Sequence, residues 1–259
     1  MDRRGFLAAG LGGVAGAGSL ATAGENKDND GREYYELRKY HLLNRATTGT
    51  LTKFLRDVGI PAMNRIGIGP VGVFNVVYGP NNPTLYVLLV HKSLESVVHT
   101  STRLLAEIEP LDRAAAYLNM PLAEPVYVRY ESSLMAAFKG MSELQVPERK
   151  SRIFELRTYE SHSLKAAKKK IEMFNEGGEI AIFRKTGLQP VFFGETVIGR
   201  KLPNLTYMLV FDNLEHRDKQ WGVFGSDPDW KKLRANPAYK DTVSNITDII
   251  LRPASYSQI

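Results

Sequence analysis

The stretch Ile153-Phe154-Glu155-Leu156-Arg157-Thr158-Tyr159 repeats Tyr34-Tyr35-Glu36-Leu37-Arg38-Lys39-Tyr40 at a distance of 119 positions, with Glu, Leu, Arg and Tyr kept in register. Side chains alternate in character through both copies, which is the period of a strand with two different faces. The correspondence continues downstream: 71–79 matches 191–199, Leu85-Tyr86 matches Thr206-Tyr207, and Leu94-Glu95 matches Leu214-Glu215, with the offset drifting only to 120 or 121. So long a period exceeds any solenoid repeat and equals a whole small domain, so the chain reads as two copies of one unit.

Behind the opening strand each copy carries a helical stretch, 50–65 and 164–185, the first interrupted at Gly59-Ile60-Pro61, where proline removes a backbone donor. Gly69-Pro70 and Gln189-Pro190 turn into β-rich runs at 71–78 and 191–198, which return as 85–90 and 205–211. A second helix (94–109 and 214–224) and a closing strand (126–131 and 246–251) complete a β-α-β-β-α-β order. That is a ferredoxin-like unit, with helices on one face of its sheet. Two such sheets in one chain have bare faces to bury against each other. The expected fold is therefore α+β: tandem ferredoxin-like units packed sheet to sheet as an intramolecular pseudo-dimeric barrel. The expected divisions are an export signal at 1–23, a flexible tether at 24–32, a first domain at 33–138, a linker at 139–151 and a second domain at 152–259.

The export signal rests on Arg3-Arg4-Gly5-Phe6-Leu7, followed by an uncharged Gly/Ala-rich run and the small-residue pattern Ala21-Thr22-Ala23. This reads as a twin-arginine signal and implies a periplasmic or otherwise extracytoplasmic protein. The apolar run is too short and too glycine-rich for a stable membrane helix. The chain carries a net charge of +6 and no cysteine, which removes thiolate catalysis, iron–sulfur ligation and disulfides. Its cations are scattered among acids; the densest run, 165–170, reads as a solvated helix face, and no basic patch interleaved with aromatics points to nucleic acid. No His-x-x-x-His, Glu-x-x-His or Gly-x-Ser-x-Gly occurs, so neither a dedicated metal site nor a hydrolase triad is expected.

Several stretches of the second copy together resemble a NIPSNAP domain: Glu155-Leu156-Arg157-Thr158-Tyr159, Gly187-Leu188-Gln189-Pro190-Val191, Leu214-Glu215-His216-Arg217 with Trp221, Phe224, Asp227-Pro228 and Trp230, and Leu251-Arg252-Pro253. The first copy keeps the opening strand and hairpin but lacks both tryptophans and the Asp-Pro. The resemblance implies a dimeric α/β-barrel fold, shared with small monooxygenases and haem proteins, and it carries no established reaction.

For the site, pleat alternation separates Phe154, Leu156 and Thr158 from Glu155, Arg157 and Tyr159. With the apolar set placed under the helices, the polar set enters the space between the sheets, where Glu36, Arg38 and Tyr40 meet it from the other copy. Arginines forking a carboxylate and tyrosines donating hydrogen bonds would make this a ligand site, with His41 and His162 at one mouth. The competing reading pairs the acids and arginines with each other as a structural lock. No catalytic residue and no cofactor is assigned. The leading expectation is a small-molecule-binding protein, monomeric with an internal pseudo-dimer; the alternatives are a cofactor-light monooxygenase or haem protein of this barrel type, and a structural interaction module.

Overall fold

A computed structural model describes residues 31–79 and 83–259; the expected export signal and most of the expected tether lie outside the described residues. Each half opens with the repeated strand. In the first half β1 (Tyr34–His41) is followed by α1 (Arg45–Phe54), a single π turn over Leu55–Gly59 and α2 (Ile60–Arg65), then β2 (Val71–Tyr78), β3 (Thr84–His91), α3 (Leu94–Ile108), α4 (Asp112–Leu118) and β4 (Arg129–Ala137). The second half runs β5 (Ile153–Glu160), α5 (Leu164–Asn175), α6 (Glu179–Lys185), β6 (Gln189–Ile198), β7 (Asn204–Phe211), α7 (Leu214–Ser226), α8 (Pro228–Arg234) and β8 (Asn245–Pro253).

All eight strands close into one antiparallel barrel in the order β1-β3-β2-β8-β5-β7-β6-β4. Within the halves β1 lies between β3 and β4, and β5 between β7 and β8, in matching registers that pair Tyr34 with His91 and Ile153 with Phe211. The halves meet at β2–β8 and β4–β6, and each seam carries a register shift, at Val76/Tyr78 and at Leu134/Met135. Among the described residues, closure leaves no unpaired sheet edge and gives every strand an inner and an outer face. The consequence is visible in β3 and β7, buried at all eight positions of each. One face looks into the lumen and the other is covered by helices.

The helices begin where the sequence supplies caps. Asn44 and Thr47 form a reciprocal capping box on α1, and Ser93, Ser163, Asn213 and Asp227 cap α3, α5, α7 and α8. The expected interruption at Pro61 is absorbed as the π turn, which widens the helix where proline has no N–H to give. The expected helix over 164–185 divides at Gly177-Gly178. Gly178 sits at a φ of 86°, and a Cβ on Gly177 would stand 2.6 Å from the carbonyl oxygen of Met173. The last strand of the first half begins three residues later than expected and runs on to Ala137, because Met135 and Ala137 point into the lumen and are buried there. Val126, read as strand, packs instead with α1 and α2.

Three apolar clusters follow. The lumen holds Tyr35, Phe74, Leu88, Phe154, Phe192 and Leu251 among others, drawn from both halves. The helices of the first half pack on the barrel through Leu51, Phe54 and Val58 against Val73, Val87 and Leu89. Those of the second half pack through Phe174, Phe183 and Phe224 against Phe193, Tyr207 and Leu209.

Candidate functional site

The lumen cluster settles the facing of the repeated strand, and it reverses the expectation. Phe154 and Leu156, with Tyr35 and Leu37, point inward. Glu36, Arg38 and Tyr40, and Glu155, Arg157 and Tyr159, therefore lie on the outer face beneath the helices, not between the sheets. Glu155, fully buried, accepts from Arg157 Nη1 at 2.7 Å, Arg217 Nη2 at 2.6 Å, Arg217 Nε at 3.0 Å and Trp221 Nε1 at 2.7 Å. Arg217 and Trp221 are one turn apart on α7, so a single helix face delivers both donors. The Arg157 guanidinium also lies 4.7 Å over the Trp221 ring and 3.0 Å from Asp248. Tyr207 donates to Tyr159 at 2.8 Å. These contacts fix the second half's helix layer to its sheet.

The first half does the same with fewer parts. Arg38 forks Glu36 through Nε at 2.7 Å and Nη2 at 3.0 Å, and Ser132 donates to the same carboxylate at 2.8 Å. His91, buried and bonded to Ser96 at 3.0 Å, stands 3.7 Å from Glu36. Burial opposes the charge on Glu36, yet His91, Arg38 and Ser132 together outweigh it and hold the carboxyl at about 2. A carboxyl lowered on folding adds stability that is full above its ordinary range near 4.5 and lost as pH falls through about 2. Glu36→Gln is therefore expected to remove on the order of 3 kcal/mol of the stability present at neutral pH. The gap between variant and parent, read by urea melts, should narrow as pH falls from about 4.5 to about 2; a gap independent of pH would mean that Glu36 is not held this way.

The run 165–170, read as a solvated face, is corrected at its last residue. Lys170 turns inward to meet the buried Glu179 at 2.7 Å and lies 4.5 Å over the Phe174 ring.

What the lumen itself offers is a cavity of about 570 Å³ at the end of the barrel where β1 and β5 finish. Seven of the eight strands contribute to it. Its walls are Leu37, Tyr86, Met135, Leu156 and Ile249, interrupted by the hydroxyls of Ser133, Thr158, Thr196, Thr206 and Thr247. Lys39, Glu131, Arg200 and Lys201 stand among the polar lining. Thr158 and Thr206 bond each other at 2.9 Å, and Thr196 donates to Asn204 at 2.6 Å. Glu131 is held by Arg200 at 2.6 Å and by His41 at 3.0 Å; Arg200 is the largest influence keeping its carboxyl below the ordinary range, with His41 and Lys39 assisting against burial. Among the described residues the Lys39 side chain makes no hydrogen bond or ion pair, although its backbone is paired to Tyr86 and Glu131 in the ladder.

Of the expected mouth residues, His41 ends β1 and borders this cavity through Glu131. His162 is exposed just past β5, and it is Glu160, paired with Lys201 at 3.2 Å and Asn245 at 2.7 Å, that takes the position matching His41. The hydroxyl-lined walls went unread in the sequence. The available signal was threonine at alternate positions in line with Phe154, Leu156 and Met208. Among the described residues no group of three or more His, Cys, Asp or Glu could hold a metal ion, and no helix is long and apolar enough to cross a membrane.

Residues 154–258 match the sequence profile of the NIPSNAP family. Among solved structures, a candidate monooxygenase of Fusobacterium nucleatum subsp. nucleatum superposes with a TM-score of 0.56 at 11% identity, covering 86% of this chain and 93% of its own. A candidate monooxygenase of Lactobacillus acidophilus does so with a TM-score of 0.54 at 8% identity, covering 86% and 94%. At these identities the likeness is one of fold, an eight-stranded α+β barrel. A NIPSNAP-like domain protein of Burkholderia xenovorans is 25% identical over 41% of this chain and 89% of its own, with a TM-score of 0.37. No curated protein matches the chain.

Proposed function

We propose that this protein, whose residues 154–258 are a NIPSNAP domain, binds a small amphipathic molecule inside its barrel. The observation that carries the reading is the 570 Å³ cavity between the two half-sheets, open at one end. Pockets of this size, apolar with a few placed polar groups, suit a small organic ligand. The apolar wall takes a hydrocarbon or aromatic body, the hydroxyls orient it, and Lys39 meets an acidic or phenolic group. The order β4-β1-β3-β2 and β8-β5-β7-β6 supports reading each half as a ferredoxin-like unit, the two joined as an internal pseudo-dimer. The arginine pair of the leader supports export by the twin-arginine route.

Anilinonaphthalene sulfonate, an amphipathic anion, tests the cavity. The expected result is saturable binding that Thr206→Trp abolishes by filling the lumen and that Lys39→Met weakens several-fold. Binding unchanged by Thr206→Trp in a variant with the parent's melting temperature would sink the reading.

A second reading, a cofactor-light oxygenase acting on a phenolic substrate, is favoured by one contact: the His41–Glu131 pair at the cavity mouth, where a carboxylate-oriented imidazole could take a phenol proton.

A further inference from the structure

The other end of the barrel carries a separate cleft of about 370 Å³, where the approach to β5 meets the exit from β8. Arg149, Lys150 and Arg152 line it from one side, Arg252 from the other, with Ser151 and Ser255 between them and no carboxylate in the lining. Lys150 is paired with Asp212 at 2.7 Å. The three arginines have no acidic partner among the described residues. Arg152 is the best fixed: its guanidinium lies 5.6 Å over the ring of the buried Phe154, and its Nη1 donates to the carbonyl of Lys150 at 3.0 Å. Its Nε is buried with no hydrogen-bond partner. Burial and the neighbouring Arg149 both press its pKa down. Arg252 pairs with Asn75 through the β2–β8 ladder, but among the described residues its side chain makes no hydrogen bond or ion pair.

Like charges gathered without a counter-ion repel, and an orphaned guanidinium N–H leaves a hydrogen bond unmade. One multiply charged oxyanion answers both. We propose that this cleft binds a phosphate group, carried by a soluble phosphate ester or diphosphate or by a lipid headgroup, with Arg152 and Arg252 forking its oxygens from opposite sides. Guanidinium forks match the tetrahedral oxygens of phosphate, and three unpaired cations suit a charge of two or more.

Inorganic pyrophosphate is the probe, titrated by calorimetry at constant ionic strength so that general screening does not imitate binding. The expected result is one saturable site, weakened about tenfold or more by Arg252→Gln and by Arg152→Met, and unchanged by Lys39→Met at the opposite end. Arg252 is exposed, so its substitution reports on the cleft even where Arg152→Met disturbs Phe154. Phosphatidylcholine vesicles doped with phosphatidic acid form the second arm. Pyrophosphate binding together with vesicle binding that pyrophosphate displaces supports the site with a lipid source; pyrophosphate binding without vesicle binding supports it with a soluble one. No saturable pyrophosphate binding, or equal binding by the Arg252 variant, overturns it. Because Lys39→Met is the control here and the sensitive variant for the lumen, failure of one site is distinguishable from failure of the other.

Discussion

Glu155→Ala is expected to destabilise the protein by about 3–5 kcal/mol, a fall in melting temperature of roughly 6–20 °C. Glu155 is wholly enclosed and collects four hydrogen bonds from Arg157, Arg217 and Trp221. Its removal leaves two guanidinium groups facing one another beneath α7 with only Asp248 nearby for Arg157. Glu155→Gln keeps the shape and an acceptor for Trp221 but deletes the charge, so it should cost less. Adding Arg217→Met to Glu155→Gln removes one of the stranded cations and should recover part of the loss. Urea melts of the three variants check the order; a loss below about 1 kcal/mol for Glu155→Ala would show that the carboxylate does not fasten the helix layer.

Neither half is expected to fold alone. Expressed separately, residues 31–138 would present the unpaired edges of β2 and β4, and residues 152–259 those of β6 and β8, since the closed order joins β2 to β8 and β4 to β6. Each would also expose its share of the lumen. Phe74 from one half and Phe154 from the other meet edge to face at 5.0 Å, and both are fully buried. Free edges beside an apolar face lead to pairing with whatever strand is at hand. The separate fragments should aggregate or self-pair, and co-expression should restore a one-to-one folded complex. Two stable monomers in size-exclusion and thermal melts would contradict a shared lumen core.

The repeat made the strand pattern legible, because Glu155-Leu156-Arg157 and Glu36-Leu37-Arg38 lie on β5 and β1, which hold equivalent places in the closed barrel. It did not reveal which face looked inward. Alternation separates two sets of side chains, and in an open two-layer sheet the apolar set packs under helices. Here both faces are enclosed, so that rule loses its force. The lumen, with nothing but other strands to fill it, takes Phe154 and Leu156. The helix layer accommodates Glu155 and Arg157 because α7 brings Arg217 and Trp221 to them, a partnership between residues more than sixty positions apart. The cavity lining was harder still: Thr158, Thr206 and Thr247 look like ordinary strand residues until closure turns them toward one another. β4 was misplaced for a related reason, its Ser132-Ser133 centre having little strand character of its own and its pairing being imposed by β1.

The seam between β2 and β8 also sets a timetable. Beyond β8 the chain stays on the first half, with Ala254 N–H bonded to the Val73 carbonyl, Gln258 N–H to that of Val71, and the Ile259 side chain seated in the lumen cluster. β2 (Val71–Tyr78) is made early and its partner strand β8 (Asn245–Pro253) late, so a growing chain holds an unpaired edge and an unfilled hollow from the first third of its synthesis almost to the end. Barrel closure thus becomes a late, all-or-none event. During that interval the nascent first half is a client for whatever shields exposed strands in the cell, and slowing translation ahead of Asn245 would lengthen its exposure without altering a single contact of the finished fold.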